Sequence, residues 1–226
     1  MTKISAVAFD IGNVLIKWVP ERYFDQVLGA EHRQEFFEQV PIIDANAAID
    51  CGADFTGTLQ QLALDYPHWK TEIALWQDNW LAIAGPEIPR SVRLLRALRA
   101  KGIPVLALSN FGVQPFEQAQ NHYGFLNEFD QRYISGHLQI IKPDPAIYAA
   151  LEEGCGYAPK SLLFADDLPQ NIAAAAARGW QTHLFKGADG WADCLVSHGL
   201  LTPLEAQLNC HIFPSKKVRN ILNGSG

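Results

Sequence analysis

The stretch VAFDIGNV, residues 7–14, limits the fold more tightly than any other part of the chain. An apolar run that is nearly continuous from residue 4 to residue 9 ends abruptly on Asp10. A half-exposed strand alternates apolar with polar residues. A run without that alternation reads as a strand covered on both faces, and such strands belong to parallel sheets. Further runs follow at 103–108, 133–135, 162–165 and 182–185, and those at 103–108 and 162–165 are nearly as uniform. Amphipathic segments lie between them. SVRLLRALRAKG sets Val92, Leu95 and Leu98 on one face with arginines opposite and Gly102 as a stop. PDPAIYAALEEG opens on Asp144 and Pro145 and is expected to end at Gly154, and PQNIAAAAARGW is an alanine-rich helix closed by Gly179. Strands alternating with helices predict an α/β protein built on a parallel sheet.

The segment 18–89 breaks this rhythm. It is too long for one strand-to-helix connection and reads as several helices. Tyr23, Phe24, Phe36, Phe37, Trp69, Trp76 and Trp80 fall within it at helical intervals, as core residues of a small subdomain would. The expected organisation is an α/β core of residues 1–17 and 90–200, a helical insertion at 18–89 and a tail at 201–226 with no assigned role.

Composition narrows the function. Hydrophobic residues make up 48% and charged residues 19%, enough for a real core. A net charge of −6, with KKVR the only basic cluster, excludes an electrostatic footprint for nucleic acid. No apolar run reaches the length of a membrane span, and MTKISAVAFD lacks the features of a signal peptide, so a cytoplasmic protein is expected. The four cysteines are scattered without a CxxC pair and the seven histidines without metal-binding spacing. The expected partner is a small molecule. A monomer or a homodimer is expected, the latter through the aromatic-rich insertion.

Ligands of open parallel sheets bind beyond the carboxyl ends of the strands. The polar residues at those ends are Asp10, then Ser109 and Asn110, then Asp166 and Asp167, with Lys142 just before a helix. Taken singly, each has an ordinary role: a turn cap, a loop, a solvated lysine, a common Asp-Asp pair. Together they form one chemistry. A carboxylate can act as a nucleophile, while several carboxylates facing one point call for a cation. Mg²⁺, which prefers hard oxygen ligands, suits them. A serine hydroxyl and a lysine ammonium would hold the remaining oxygens of a phosphate. The set suggests phosphoryl transfer to water through Asp10.

Four motifs, FDIGNV, LALSN, IKPDPAIY and LLFADDLPQN, make the chain resemble the haloacid dehalogenase superfamily over about residues 4–200. The resemblance implies a Rossmannoid core with the first strand central, flanked by the second and fourth, and a helical cap formed by the insertion. It implies Asp10 as nucleophile, Ser109 and Lys142 as phosphate ligands, and Asn110 shaping the phosphate loop. Gly12 and Asn13 join the substrate-binding set. The metal ligands implied are Asp10, Asp167, the carbonyl of Gly12, and Asp166 directly or through water.

One position departs from the phosphatase pattern. Phosphatases of the superfamily carry an aspartate two residues after the nucleophile, as an acid–base group worth roughly 10²–10⁴-fold. This chain has Gly12 there. The dehalogenase branch also lacks that aspartate, but it resembles SSN where this chain has ADD, and it needs no Mg²⁺. The acidic pair therefore favours a Mg²⁺-dependent phosphatase acting on a small phosphorylated metabolite. Alternatives are a 2-haloacid dehalogenase, a non-catalytic metabolite-binding protein and a mutase. A good leaving group, water or a cap residue would replace the missing acid. Asp44, Asn46 and Asp50 are the cap candidates. His137, Trp18 and Tyr23 are further residues whose place relative to Asp10 no motif fixes, and Tyr148 suits both branches.

Overall fold

The computed structural model describes residues 3–207. Its seven strands are β1 (Ala6–Phe9), β2 (Ile16–Trp18), β3 (Ala84–Glu87), β4 (Val105–Ser109), β5 (Gln131–Ile134), β6 (Leu162–Asp166) and β7 (Gln181–Leu184). Five form one sheet in the order β5-β4-β1-β6-β7, and every neighbouring pair is parallel. β1 is therefore central, between β4 and β6, with Phe9 in register with both Ala107 and Ala165.

The lack of alternation in the central strands has a direct cause. Val7, Phe9, Val105, Ala107, Leu163 and Ala165 face one hydrophobic cluster, and Phe9 meets Trp191 edge-on at 5.6 Å. Their neighbours Ala6, Ala8, Leu106, Leu108, Leu162 and Phe164 face a second cluster with Tyr148, Leu151 and Trp180. Both faces are dry, so both sets of side chains are apolar.

Between β2 and β3 lie the helices Pro20–Leu28, Ala30–Gln39, Ile42–Asp50, Phe55–Asp65, Lys70–Asp78 and Trp80–Ile83. Their centre is aromatic. Phe24 stacks on Trp76 at 5.7 Å and Trp18 lies against Trp80 at 5.0 Å. Trp80 also touches Phe111, which follows β4, at 6.2 Å. Helical character was expected through residue 89, but residues 84–87 are a strand. Gly85 and Pro86 are poor helix formers, and β3 pairs antiparallel with β2, setting Trp18 opposite Ala84.

Other boundaries shift for local reasons. The third core strand is Gln131–Ile134, because Ser135 turns into the short helix Ser135–Leu138. Asp144 caps its helix as expected, accepting from Ala146 N–H at 2.8 Å. That helix does not stop at Gly154. It runs to Cys155, and Gly156 takes the left-handed cap at φ 70°. A side chain on Gly154 would strike the Tyr133 ring, which explains the earlier glycine.

At the start of the expected tail, Leu201 and Ala206 are buried in the main cluster. Thr202 and Glu205 cap the helix Pro203–Gln207 reciprocally, Thr202 N–H reaching Glu205 Oε2 at 2.7 Å and Glu205 N–H reaching Thr202 Oγ1 at 3.2 Å. The KKVR cluster and Cys210 lie outside the described residues. No helix among the described residues is long and apolar enough to cross a membrane.

Candidate active site

The carboxyl ends of β1, β4 and β6 meet at one point because their registers are level. Asp10 follows β1, while Ser109 and Asp166 close β4 and β6. Asp10 is buried, and its Oδ1 accepts three hydrogen bonds: from Ile11 N–H at 2.7 Å, Ser109 Oγ at 2.8 Å and Lys142 Nζ at 2.9 Å. The same Lys142 ammonium donates to Asp166 Oδ2 at 2.7 Å. Asp166 is fully buried and is held in turn by Leu168 N–H and by the amide of Asn171, which reaches both carboxylate oxygens at 3.0 Å.

The loop after β1 is fixed by its own side chains. Asn13 adopts φ 54°, a left-handed conformation that asparagine tolerates. Its Oδ1 accepts Trp18 N–H at 2.9 Å and its Nδ2 donates to Asp167 Oδ2 at 3.0 Å. Asn110 links the loop after β4 to the segment carrying Lys142 through two backbone bonds.

A cavity of about 250 Å³ opens over these groups. Asp10, Gly12, Asn13, Ser109, Asn110, Lys142 and Asp167 all line it, so the sequence-derived set converges. Asp166 lies beneath, bonded to Lys142 rather than lining the cavity. Of the cap candidates, Asn46 and Asp50 line it as well, and so does Trp18. Asp44 is exposed and turned away, Tyr23 packs on Phe24, and exposed His137 sits against Phe116; none lines the cavity. Tyr148 is buried, its hydroxyl donating to the Asn171 carbonyl at 3.1 Å. Asn171 is the site residue that sequence reasoning missed. Its signal was its place in ADDLPQN, five residues after Asp166 on the first turn of the helix Pro169–Ala177.

The electrostatics follow from burial. Loss of solvent pushes Asp10 up to about 6; Lys142 opposes this and the Asp166 charge adds to it. Burial alone would lower Lys142, but the Asp10 and Asp166 carboxylates outweigh it and hold the ammonium above its ordinary value. Burial also raises Asp167. Asp50 is pushed up to about 7 by burial, against the Gly112 N–H bond and with the help of the Asp10 charge.

Oxygens of Asp10, Asp166 and Asp167 lie within 4.8 Å of one another. Three carboxylates and one ammonium leave an excess of negative charge in a poorly solvated place, which a divalent cation would offset. The donor set of hard oxygens fits such an ion.

Comparison with known proteins identifies relatives of the chain. Haloacetate dehalogenase H-2 of Moraxella sp. is 31% identical over 87 residues, 38% of this chain and 39% of that protein. The chain thus aligns with about two fifths of the length of the first curated relatives it matches. A sesquiterpene phosphatase of Aspergillus oryzae is 25% identical over 181 residues, 79% of this chain and 88% of that protein. The crystal structure of a HAD family enzyme of Bacteroides thetaiotaomicron, in complex with magnesium and inorganic phosphate, superposes with a TM-score of 0.64. It is 21% identical and covers 81% of this chain and 94% of its own. The profile of the haloacid dehalogenase-like hydrolases matches residues 4–179, and the chain belongs to that family.

Proposed function

We propose that the protein is a magnesium-dependent phosphatase that hydrolyses a small phosphorylated metabolite in the cytoplasm, with Asp10 as the nucleophile. The observation that carries this reading is the charge balance around Lys142. One ammonium serves two buried carboxylates, at 2.9 and 2.7 Å, with Asp167 beside them. A haloacid, itself an anion without phosphate oxygens to bind a cation, would enter against that charge. A phosphate ester with a divalent cation completes it. The phosphatase relative and the magnesium and phosphate complex of the structural neighbour support the same choice. The three described free cysteines suit a reducing compartment.

Asp10 and Asp167, with the Gly12 carbonyl, would hold the cation, with Asp166 beside it directly or through water, and the cation would neutralise phosphate charge and orient the ester. Asp10 attacks phosphorus and expels the alcohol, and water then releases phosphate from the aspartyl-phosphate. The Ser109 hydroxyl donates to Asp10 Oδ1 at 2.8 Å. With substrate bound it turns to a phosphate oxygen and leaves the nucleophile a free lone pair. Lys142 uses two of its three N–H groups on Asp10 and Asp166, and the third meets the phosphate.

The second reading, a 2-haloacid dehalogenase, is favoured by the curated dehalogenase relatives. Phosphate release from sugar, acyl and aryl phosphates, with Mg²⁺ or chelator and beside Asp10→Asn, separates the two. Metal-dependent release that vanishes in the variant is expected. Chelator-resistant chloride release from 2-chloropropionate, without phosphate release, would replace this proposal with the dehalogenase.

A further inference from the structure

The chemistry proposed above leaves the departing oxygen without a proton donor, because Gly12 has no side chain. Three carboxylates belong to residues lining the cavity: Asp10, Asp50 and Asp167. Asp10 forms the bond to phosphorus and Asp167 serves the cation. Of the lining lysines, Lys142 is bound between two carboxylates and Lys17 is exposed. We infer that Asp50, carried by the inserted helices, is the acid–base residue that replaces the carboxylate missing at position 12.

The placement of Asp50 supports this role. It ends the helix Ile42–Asp50, yet it is tied to the core beside the phosphate loop. Its Oδ1 accepts Gly112 N–H at 2.9 Å, and its backbone carbonyl accepts the Ser135 hydroxyl. Gly112 lies three residues beyond Ser109, so the loop that binds phosphate also holds this carboxylate. Asn46, one turn earlier, donates to Asp50 Oδ2 at 3.0 Å. The Asn46 Oδ1 is buried and has no partner among the described residues, although Asn46 lines the cavity. An acceptor left open there suits a hydroxyl of the leaving group beside Asp50. The raised proton affinity of Asp50 keeps a fraction of the acid form near neutral pH.

The proton balance closes over the two half-reactions. As the bond from Asp10 to phosphorus forms and the ester P–O bond breaks, the Asp50 carboxyl gives its proton to the leaving oxygen and becomes a carboxylate. As water attacks phosphorus and the Asp10–phosphorus bond breaks, the Asp50 carboxylate takes the proton of that water. Asp50 ends as it began.

This inference rests on the phosphatase reading, and leaving-group quality tests the two separately. Wild-type protein and Asp50→Asn, which keeps an oxygen for the Gly112 N–H, are compared with Mg²⁺ on an alkyl phosphate and on 2,4-dinitrophenyl phosphate. The variant is expected to lose about 10²–10⁴-fold in kcat/KM on the alkyl ester. It should lose less than about tenfold on the dinitrophenyl ester, whose leaving group needs no proton. Gly12→Asp in the Asp50→Asn background should restore part of the alkyl rate. A Cβ at position 12 meets only Trp18 Cβ, at 3.8 Å, so that substitution is accommodated. Equal losses on the two esters, or no loss, would overturn the role of Asp50 and leave the phosphatase standing. No turnover of either ester by the wild type would overturn both. Should Asp50→Asn not fold, the wild-type rate across a series of aryl phosphates decides. A shallow dependence on leaving-group pKa is expected, and a steep one overturns the assignment.

Discussion

Asn110 and Lys142 hold each other's segments by two hydrogen bonds. Asn110 Nδ2 donates to the Lys142 carbonyl at 3.0 Å, and Lys142 N–H donates to Asn110 Oδ1 at 2.7 Å. The loop that carries Ser109 and the segment that carries Lys142 therefore move as one piece. Asn110→Ala removes both bonds and leaves a partly buried N–H and carbonyl behind, at a cost of about 1–3 kcal/mol. Urea unfolding should show that loss. Phosphate release should fall by about 10²-fold, because a displacement of about 1 Å at the reacting groups costs that much.

Lys142→Ala should be far more damaging to the fold. It strips the shared cation from two carboxylates that are almost fully buried. Removing one partner of such a pair costs about 3–5 kcal/mol. Added Mg²⁺ should recover part of the lost Tm in this variant, since a second cation then screens the same charges. Scanning calorimetry with and without Mg²⁺ reads both effects.

Metal binding should stabilise the wild type measurably. Mg²⁺ at a hundred times its Kd adds about 2.7 kcal/mol to folding. Asp167→Asn should remove most of that gain while leaving the metal-free Tm nearly unchanged, because Asp167 is only half-buried and is held by Asn13 alone among the described side chains. The dehalogenase reading expects no metal-dependent shift in either protein.

Metal-free stability should fall as pH rises. The folded values of Asp10, about 6, and Asp50, about 7, lie above the ordinary 3.8. Between these limits the folded chain binds more protons than the unfolded one, so this contribution is full below about pH 4 and is lost as pH passes through 6 to 7. Tm measured in chelator should be higher at pH 5 than at pH 8, and Asp50→Asn should flatten the difference. Saturating Mg²⁺ should also narrow it, because the proposed cation would bind the ionised form of Asp10.

The parts of this fold that are legible in the sequence are those set by simple solvent exclusion. β1, β4 and β6 read as buried strands because each is covered on both sides, and the residues at their ends could be found by counting. The β2–β3 pair was not legible. Each strand has only three or four residues, and nothing local says that residue 18 meets residue 84. Gly154 looked like a helix stop because its real partner, Tyr133, is distant in sequence. Among the cap candidates, Asn46 and Asp50 are four residues apart and share one helix face. Asp44 falls on another face and reaches solvent. That distinction was available from spacing; the turn of the shared face toward Asp10 was not.

The antiparallel pair of β2 and β3 has a consequence for how such proteins diversify. The chain departs from the sheet and comes back through adjacent strands, Trp18 beside Ala84, so the two ends of the insertion stand about 5 Å apart. An excursion anchored this closely can grow, shrink or be exchanged while the sheet keeps its register, since lengthening a loop between fixed ends costs little. Exchange of residues 20–83 would bring in a new cavity wall over an unchanged Asp10. If the proton donor resides at Asp50, the same exchange would also bring in a new acid, and selectivity and leaving-group chemistry would be inherited as a single cassette.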